Sequence, residues 1–355
     1  MEKTELSFII PVYNGAKTME ACIGSIQKCG IKHEIIIVND GSTDNTEAIC
    51  TNMAKQDAGI KVYTIENCGQ GKARVYGTKQ AKGKYICYVD ADDYIFPEAY
   101  EKMWKCASIN DYDVVMGGYV RDNGIIKEEI QLPGEGIIKR NGNKMQRQLY
   151  QKVKTGSAFG YVWNKLYKRK FLEENKLQMD DIRKVYMEDT MFNLKVWSKS
   201  PSWYCMNIPV YCYQTAEEST TRKAEPLIHE KNIAMISGLV DYLQSNCGVE
   251  ENIDVIVPLI LRTFCWSLQK NTLYEGNDFR KMKMRAEAYI DNKVIQSMLK
   301  QKHAFKSLWQ IPSVLQSVFY SVCYGLMRFR LKGAVAGIFW CLSPFMRIYV
   351  GKVVK

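Results

Sequence analysis

The chain has 355 residues and a net charge of +11, long enough for about two domains and an appendage. Its 12 cysteines form no Cys-x-x-Cys pair, which argues against a zinc site and fits thiols kept reduced in a cytosol. The charge is uneven: residues 300–355 hold nine Lys/Arg and no Asp/Glu, while the first 299 residues nearly balance at 40 basic and 38 acidic. That tail is also rich in Trp, Phe, Tyr, Leu, Val and Ile, so its charge does not read as a nucleic-acid footprint.

In chain order, Leu6–Ile10 reads as a strand, followed by Pro11-Val12-Tyr13-Asn14-Gly15 and a helix around Thr18–Lys28. A second strand, Glu34–Val38, leads through Asn39-Asp40-Gly41-Ser42-Thr43-Asp44 into a helix from about Asn45 to Gln56, with Asp44 placed to cap it. A third, Lys61–Ile65, leads through Glu66-Asn67-Cys68-Gly69-Gln70-Gly71 into a helix to about Ala81, and Tyr85–Val89 is the fourth. Continuous apolar runs alternating with helices predict an α/β fold: a mostly parallel, Rossmann-like sheet, buried on both faces and flanked by helices. Ligands bind such sheets beyond the carboxyl ends of the strands, and those ends carry Asn14, Asp40, Asn67 and the pair Asp90/Asp92.

Three carboxylates follow the fourth strand within four positions: Asp90-Ala91-Asp92-Asp93. Crowded acids repel unless a cation sits among them, and hard divalent ions prefer carboxylate oxygens. The competing reading is that Asp92 or Asp93 caps the helix starting near Pro97. Gly69-Gln70-Gly71-Lys72-Ala73-Arg74 opens the third helix, where backbone amides and a helix start favour an anion and Lys72 or Arg74 can meet phosphate oxygens. The segment is neither a Walker loop nor a dinucleotide fingerprint. A metal-bridged diphosphate follows, with Asp40 and Asn67 placed to read a nucleobase edge and Tyr13 to stack on it.

Ser7–Asn14, Val38–Asp44, Asn67-x-Gly69-x-Gly71-x-Ala73-Arg74 and Tyr88–Asp93 together resemble the four signature blocks of family 2 inverting glycosyltransferases. The resemblance implies a GT-A fold, a UDP-sugar donor and Mn²⁺ or Mg²⁺. Carried over residue by residue, it sets Pro11 and Tyr13, with Asn14 beside them, against uracil and ribose. Asp40 and Asn67 bond uracil; Gly71 and Arg74 lie near the diphosphate; Asp90 and Ala91 contact ribose or donor sugar; Asp92, with Asp90, ligates the metal. Asn39 stands where the family usually has Asp, and Val75 where Asn commonly follows Ala-Arg.

In the second half, Glu188-Asp189 opens an apolar-patterned helix. Acids there suit the helix dipole; by the resemblance Asp189 is the general base and Glu188 its neighbour in the acceptor or donor-sugar pocket. Val162–Lys168 resembles a block of the polysaccharide-building members, with Trp163 read either as a sugar-stacking face for the acceptor or as core, and Lys165 as approaching the diphosphate or simply exposed. Gln214 stands where relatives place Arg or a metal-ligating His, so a third protein ligand is unassigned; Arg222 is a candidate diphosphate contact from a closing loop.

The chain thus divides into a nucleotide-sugar half (1–120), an acceptor half (121–225), a helical connector (226–302) and a basic tail (303–355). Ser307–Met327 carries no charge and Arg328, Arg330 and Lys332 follow it, which reads as interfacial helices on an anionic leaflet, with a packed helical pair or a membrane span as alternatives. Met1–Leu6 is charged and runs into the first strand, so a signal peptide is not expected. The expected protein is cytoplasmic and peripheral to the inner membrane face, moving sugar from UDP to a saccharide or lipid-linked saccharide in cell-surface polysaccharide synthesis such as capsule. A nucleotidyltransferase is disfavoured by the Pro11–Gly15 loop. A non-catalytic scaffold or another nucleotide-sugar donor is the alternative.

Overall fold

The computed structural model describes residues 4–132, 134–138, 156–215, 225–270, 278–311 and 313–353. Two compact units emerge, one of Met1–Arg183 with Met187–Ala216, the other of Lys184–Tyr186 with Glu217–Lys355.

Among the described residues the first unit is built on one ten-stranded sheet. Its strands are β1 (Leu6–Val12), β2 (His33–Asn39), β3 (Ile60–Thr64), β4 (Tyr85–Tyr88), β5 (Tyr94–Ile95), β6 (Val114–Asp122), β7 (Lys127–Ile130), β8 (Gly136–Ile138), β9 (Lys165–Lys168) and β10 (Trp203–Gln214). Between them run α1 (Met19–Gln27), α2 (Thr46–Gln56), α3 (Gln70–Gln80), α4 (Pro97–Asn110), α5 (Gly156–Gly160), α6 (Arg169–Glu174) and α7 (Glu188–Ser198). The order is β3-β2-β1-β4-β9-β6-β10-β5, with β7 beside β6 and β8 beside β10.

Every residue of β1 is buried, as is β2 from Glu34 onward, which is why those runs are continuous rather than alternating. The four parallel strands β3-β2-β1-β4 are in register Val12 to Asn39 and Asn39 to Thr64, so their carboxyl ends share one rim. Beyond β4 the sheet becomes mixed. β9 lies antiparallel to both β4 and β6, and β10 returns parallel to β6. The parallel order is therefore complete only from β1 to β4, because β9 wedges between β4 and β6 running the other way.

The second unit is helical: α8 (Ile228–Asn246), α9 (Ile253–Lys270), α10 (Phe279–Asp291), α11 (Lys293–Leu299), α12 (Ala304–Leu308), α13 (Val314–Arg328) and α14 (Lys332–Val353). Its core is aromatic and apolar, Phe264 packing edge-on to Tyr289 and Phe339. A buried chain of hydrogen bonds runs from Asn232 Nδ2 through Ser267 to Tyr289, while Asn232 Oδ1 has no partner among the described residues. No helix among the described residues is long and apolar enough to cross a membrane. The uncharged run 307–327 is not one helix: α12 ends at Leu308, and α13, at 15 residues, spans about 22 Å against a hydrocarbon core of about 30 Å. The spanning alternative is set aside on that ground.

Candidate active site at the carboxyl rim

The loops after β1 and β2 are stitched together before any ligand is considered. Asn14, at φ 54°, accepts from the Thr43 N–H at 2.8 Å, its own N–H donates to Ser42 Oγ, and Gly15 N–H donates to Thr46 Oγ1. Asn14 is thus committed to loop geometry, while Tyr13 beside it is 53% exposed and keeps a free ring face. Pro11 is buried in β1. The N-cap of α2 is Asn45, not Asp44 as expected; Asp44, one residue earlier, accepts from the N–H of Thr46, the first residue of α2, and from that of Ala16, tying the helix start to the first loop. The family departure at Asn39 is absorbed locally, its Oδ1 accepting from Ser42 N–H.

Asp40 is buried, and its two oxygens accept from the N–H groups of Cys68 (2.7 Å) and Gly69 (2.9 Å). Asn67 donates back to the Asp40 carbonyl at 2.9 Å. The pair expected to read a base therefore also locks the β3–α3 loop to the β2–α2 loop. Gly69 lies at φ 88°, a conformation suited to glycine. Gly71 is required for a different reason: a Cβ there would collide with the Asp180 carbonyl oxygen. Lys72 Nζ pairs with Asp181 at 2.9 Å, as does the guanidinium of Arg183 at 3.0 Å. Asp180–Arg183 was not singled out in the sequence. Its signal was an acidic pair followed by Arg183, which lies over Gly69.

Arg74 departs most from expectation. Its side chain is 1% exposed, with Nη2 on Asp90 Oδ1 at 2.6 Å and Nη1 on Asp189 Oδ1 at 2.8 Å. Glu188 Oε1 is 3.6 Å from Nη1 and accepts from Gln70 Nε2 at 2.7 Å. One buried guanidinium thus joins the end of β4, the start of α3 and the start of α7. It faces carboxylates rather than open solvent.

The electrostatics follow from that burial. Desolvation raises the carboxyl pKa of Asp189, and Arg74 pulls it back while Glu188 and Asp90 push it further up. Glu188 is raised for the same first cause, and Arg74 again opposes it. Asp189 is 19% exposed and Glu188 4%, so of the two only Asp189 meets an incoming molecule. No hydrogen bond to its Oδ2 is made among the described residues.

Asp92 stands exposed at the rim, next to Ala91, and its carboxyl is raised by partial desolvation and by the charge of Asp90. Asp93 is interior, accepting from Tyr211 Oη (2.8 Å) and Gln214 N–H (2.7 Å), while Tyr211 Oη accepts from Asp90 N–H at 3.0 Å. Tyr211 was missed as a brace of the acidic loop; Gln214 braces it with backbone alone. Among the described residues no group of three or more His, Cys, Asp or Glu could hold a metal. Asp90 and Asp92 still fit a hard divalent ion that takes one or two carboxylates and completes its shell from phosphates and water.

Of two residues left open in the second half, Trp163 takes its core reading and Lys165 takes neither of its readings. Trp163 is 2% exposed, stacked on Tyr161 (4.4 Å) and on Tyr211 (4.3 Å); an acceptor sugar has no face of it to meet. Lys165 is fully buried, donating to the carbonyls of Ala158 and Tyr161 and to Asn164 Oδ1, so it is neither exposed nor directed to a diphosphate. Both follow from β9 and β10 being central strands. Arg222 lies outside the described residues.

With that geometry in place, comparison with known proteins is specific. Residues 7–175 match the model of the family described as Glycosyl transferase family 2. Among proteins that carry a glycosyltransferase name, EpsH of Bacillus subtilis (strain 168) is 28% identical over 253 residues, 71% of this chain and 72% of EpsH. Among solved structures, S. aureus TarS 1-349 in complex with UDP-GlcNAc aligns at TM-score 0.70 and 18% identity, covering 93% of this chain and 91% of that one. The mannosyltransferase PcManGT of Pyrobaculum calidifontis, in complex with GDP-Man and Mn²⁺, aligns at TM-score 0.51 and 11% identity over 98% of this chain and 88% of that one. The fold is GT-A, followed by a C-terminal helical region.

Proposed function

The chain carries a family 2 glycosyltransferase domain, and on that premise we propose that it transfers a sugar from a UDP-sugar to a hydroxyl of a saccharide or lipid-linked saccharide, with inversion at the anomeric carbon. The observation that carries this reading is the Arg74 clasp, which sets Asp90 of the acidic loop and Asp189 of α7 on the two arms of one guanidinium. TarS, of the same fold, is complexed with UDP-GlcNAc, which favours a UDP-sugar here.

In the proposed reaction the free Oδ2 of Asp189 accepts the proton of the acceptor hydroxyl as its oxygen attacks the anomeric carbon. The bond from that carbon to the diphosphate breaks, its electron pair staying on the phosphate oxygen, and the proton ends on Asp189. Asp189 must be ionised to begin this step, and the fixed charge of Arg74 favours that form. The dipole at the start of α7 acts in the same direction. Tyr13 offers an aromatic face to the base. Asp90 and Asp92 would hold a divalent ion, Mg²⁺ or Mn²⁺, that supplies positive charge to the departing diphosphate. Lys72 and Arg183 sit at the mouth beside Gly69, tied to Asp181, and are the side-chain cations positioned for phosphate.

We place the protein at the inner face of the cell membrane in cell-surface polysaccharide synthesis, from the charge and apolar content of residues 300–355. The test is calorimetric titration with UDP, with Mn²⁺ and then with chelator, followed by transfer assays with UDP-sugars. Metal-dependent UDP binding supports the donor assignment. Binding of GDP in place of UDP would overturn it and redirect the screen to other nucleotide sugars.

A further inference from the structure

Helix α13 is apolar on two opposite sides. Ser317, Tyr320, Cys323 and Met327 face inward, with Gln296 donating to the Met327 carbonyl and Tyr324 Oη donating to the Leu299 carbonyl to seat the helix. On the other side Val314 is 72% exposed, Leu315 81%, Val318 44% and Val322 48%. At 3.6 residues per turn these four fall within an arc of about 100°, and no residue of Val314–Met327 is charged. A helix that had only to pack on its own unit would place polar side chains on that arc. Here aliphatic side chains face solvent, a pattern that marks an interaction surface.

The ends of the arc differ in kind from its middle. Before it, Phe305 and Trp309 are 49% and 54% exposed; after it, Phe329 is 74% exposed. Exposed cations accompany these aromatics: Lys302 and Lys306 at one end, Arg330 at the other. Exposed aromatic rings and Lys/Arg in the segments flanking an aliphatic stripe suit a helix lying in the headgroup–acyl boundary, rings and cations among the headgroups and aliphatic side chains on the acyl side. Residues 300–355 hold no acid to oppose an anionic surface.

We propose that the exposed arc Val314–Val322 of α13 is a membrane-docking face, inserting at the headgroup–acyl boundary of an anionic phospholipid bilayer with Phe305, Trp309 and Phe329 at the interface. The proposal deepens the membrane placement given above by naming the face, and it is independent of the catalytic reading. α13 then lies in the plane of the surface, in keeping with its length.

The test uses the full chain, wild type and Leu315→Glu/Val318→Glu, in co-sedimentation with vesicles of phosphatidylglycerol and phosphatidylcholine or of phosphatidylcholine alone. Both substituted side chains are exposed, so circular dichroism and melting should match wild type. Wild type is expected to pellet with the anionic vesicles and the double variant to bind about tenfold or more weakly, the loss from withdrawing two aliphatic side chains. Brominated acyl chains should quench a fluorescence component that Trp309→Phe removes. Equal binding by wild type and double variant overturns the face while leaving the tail's charge as the membrane contact. No binding of wild type to anionic vesicles overturns the membrane placement itself. A lipid-free dimer in sedimentation equilibrium that the double variant abolishes would assign the arc to a second copy of this chain and overturn the proposal.

Discussion

Arg74 Nη1 lies 2.8 Å from Asp189 Oδ1, across 115 residues of sequence, with the guanidinium almost wholly out of solvent. The same group holds Asp90. A buried cation shared by carboxylates fixes their spacing, since moving either one strands charge in the interior. Asp189 and the acidic loop are therefore positioned by a residue that is itself inaccessible.

Asp189→Asn should lower the rate of transfer by about 10²–10⁴-fold, with UDP affinity by calorimetry unchanged within about twofold, since the amide oxygen still accepts from Arg74. Loss of UDP binding in step with activity would assign Asp189 to the donor rather than to proton removal.

The pH profile has a sign. Burial raises the Asp189 carboxyl and Arg74 opposes that rise, so kcat/KM should climb with pH as Asp189 ionises, with its acid limb above the ordinary carboxylate range near 4. Arg74→Gln removes the opposing charge. Its limb should shift further toward alkaline pH, beside a fall in stability of about 3–5 kcal/mol, read from urea melts. An unshifted limb in a folded variant would show that another group titrates.

Asp92→Ala should abolish the metal-dependent part of UDP binding while leaving the melting temperature of the ligand-free protein within about 2 °C, because the side chain is exposed. Unchanged Mn²⁺ dependence would remove Asp92 from the metal site.

Tyr211→Phe deletes the hydroxyl that serves both Asp93 and the Asp90 N–H. A buried carboxyl left short of a donor costs about 1–3 kcal/mol, and the acidic loop should loosen, weakening UDP binding in the presence of Mn²⁺ more than stability alone explains. Trp163→Ala, by contrast, should destabilise by about 3–5 kcal/mol, and a cold assay of any folded fraction should show an ordinary acceptor KM.

The parallel half of the fold was legible because strands buried on both faces must be apolar throughout, and Leu6–Ile10, Glu34–Val38 and Tyr85–Val89 are so with few exceptions. The acids and asparagines at one rim were legible for the same reason: they cannot lie inside such strands, so they mark the ends. The acidic start of α7 was visible as residue type and position. What those residues touch was not. Arg74, Asp90 and Asp189 are far apart in sequence, and only the packing of α7 against α3 turns a residue expected at a phosphate into a clasp between two carboxylates. Trp163 and Lys165 were ambiguous because composition does not say whether β9 is central or at an edge; pairing of β9 with both β4 and β6 made Lys165 interior, and stacking on Tyr161 and Tyr211 covered Trp163. Local pattern fixes which backbone forms and which side chains carry charge, because both depend on near neighbours. Which charges meet, which rings remain open and which face of α13 stays in solvent depend on distant segments, and only the tertiary structure decides them.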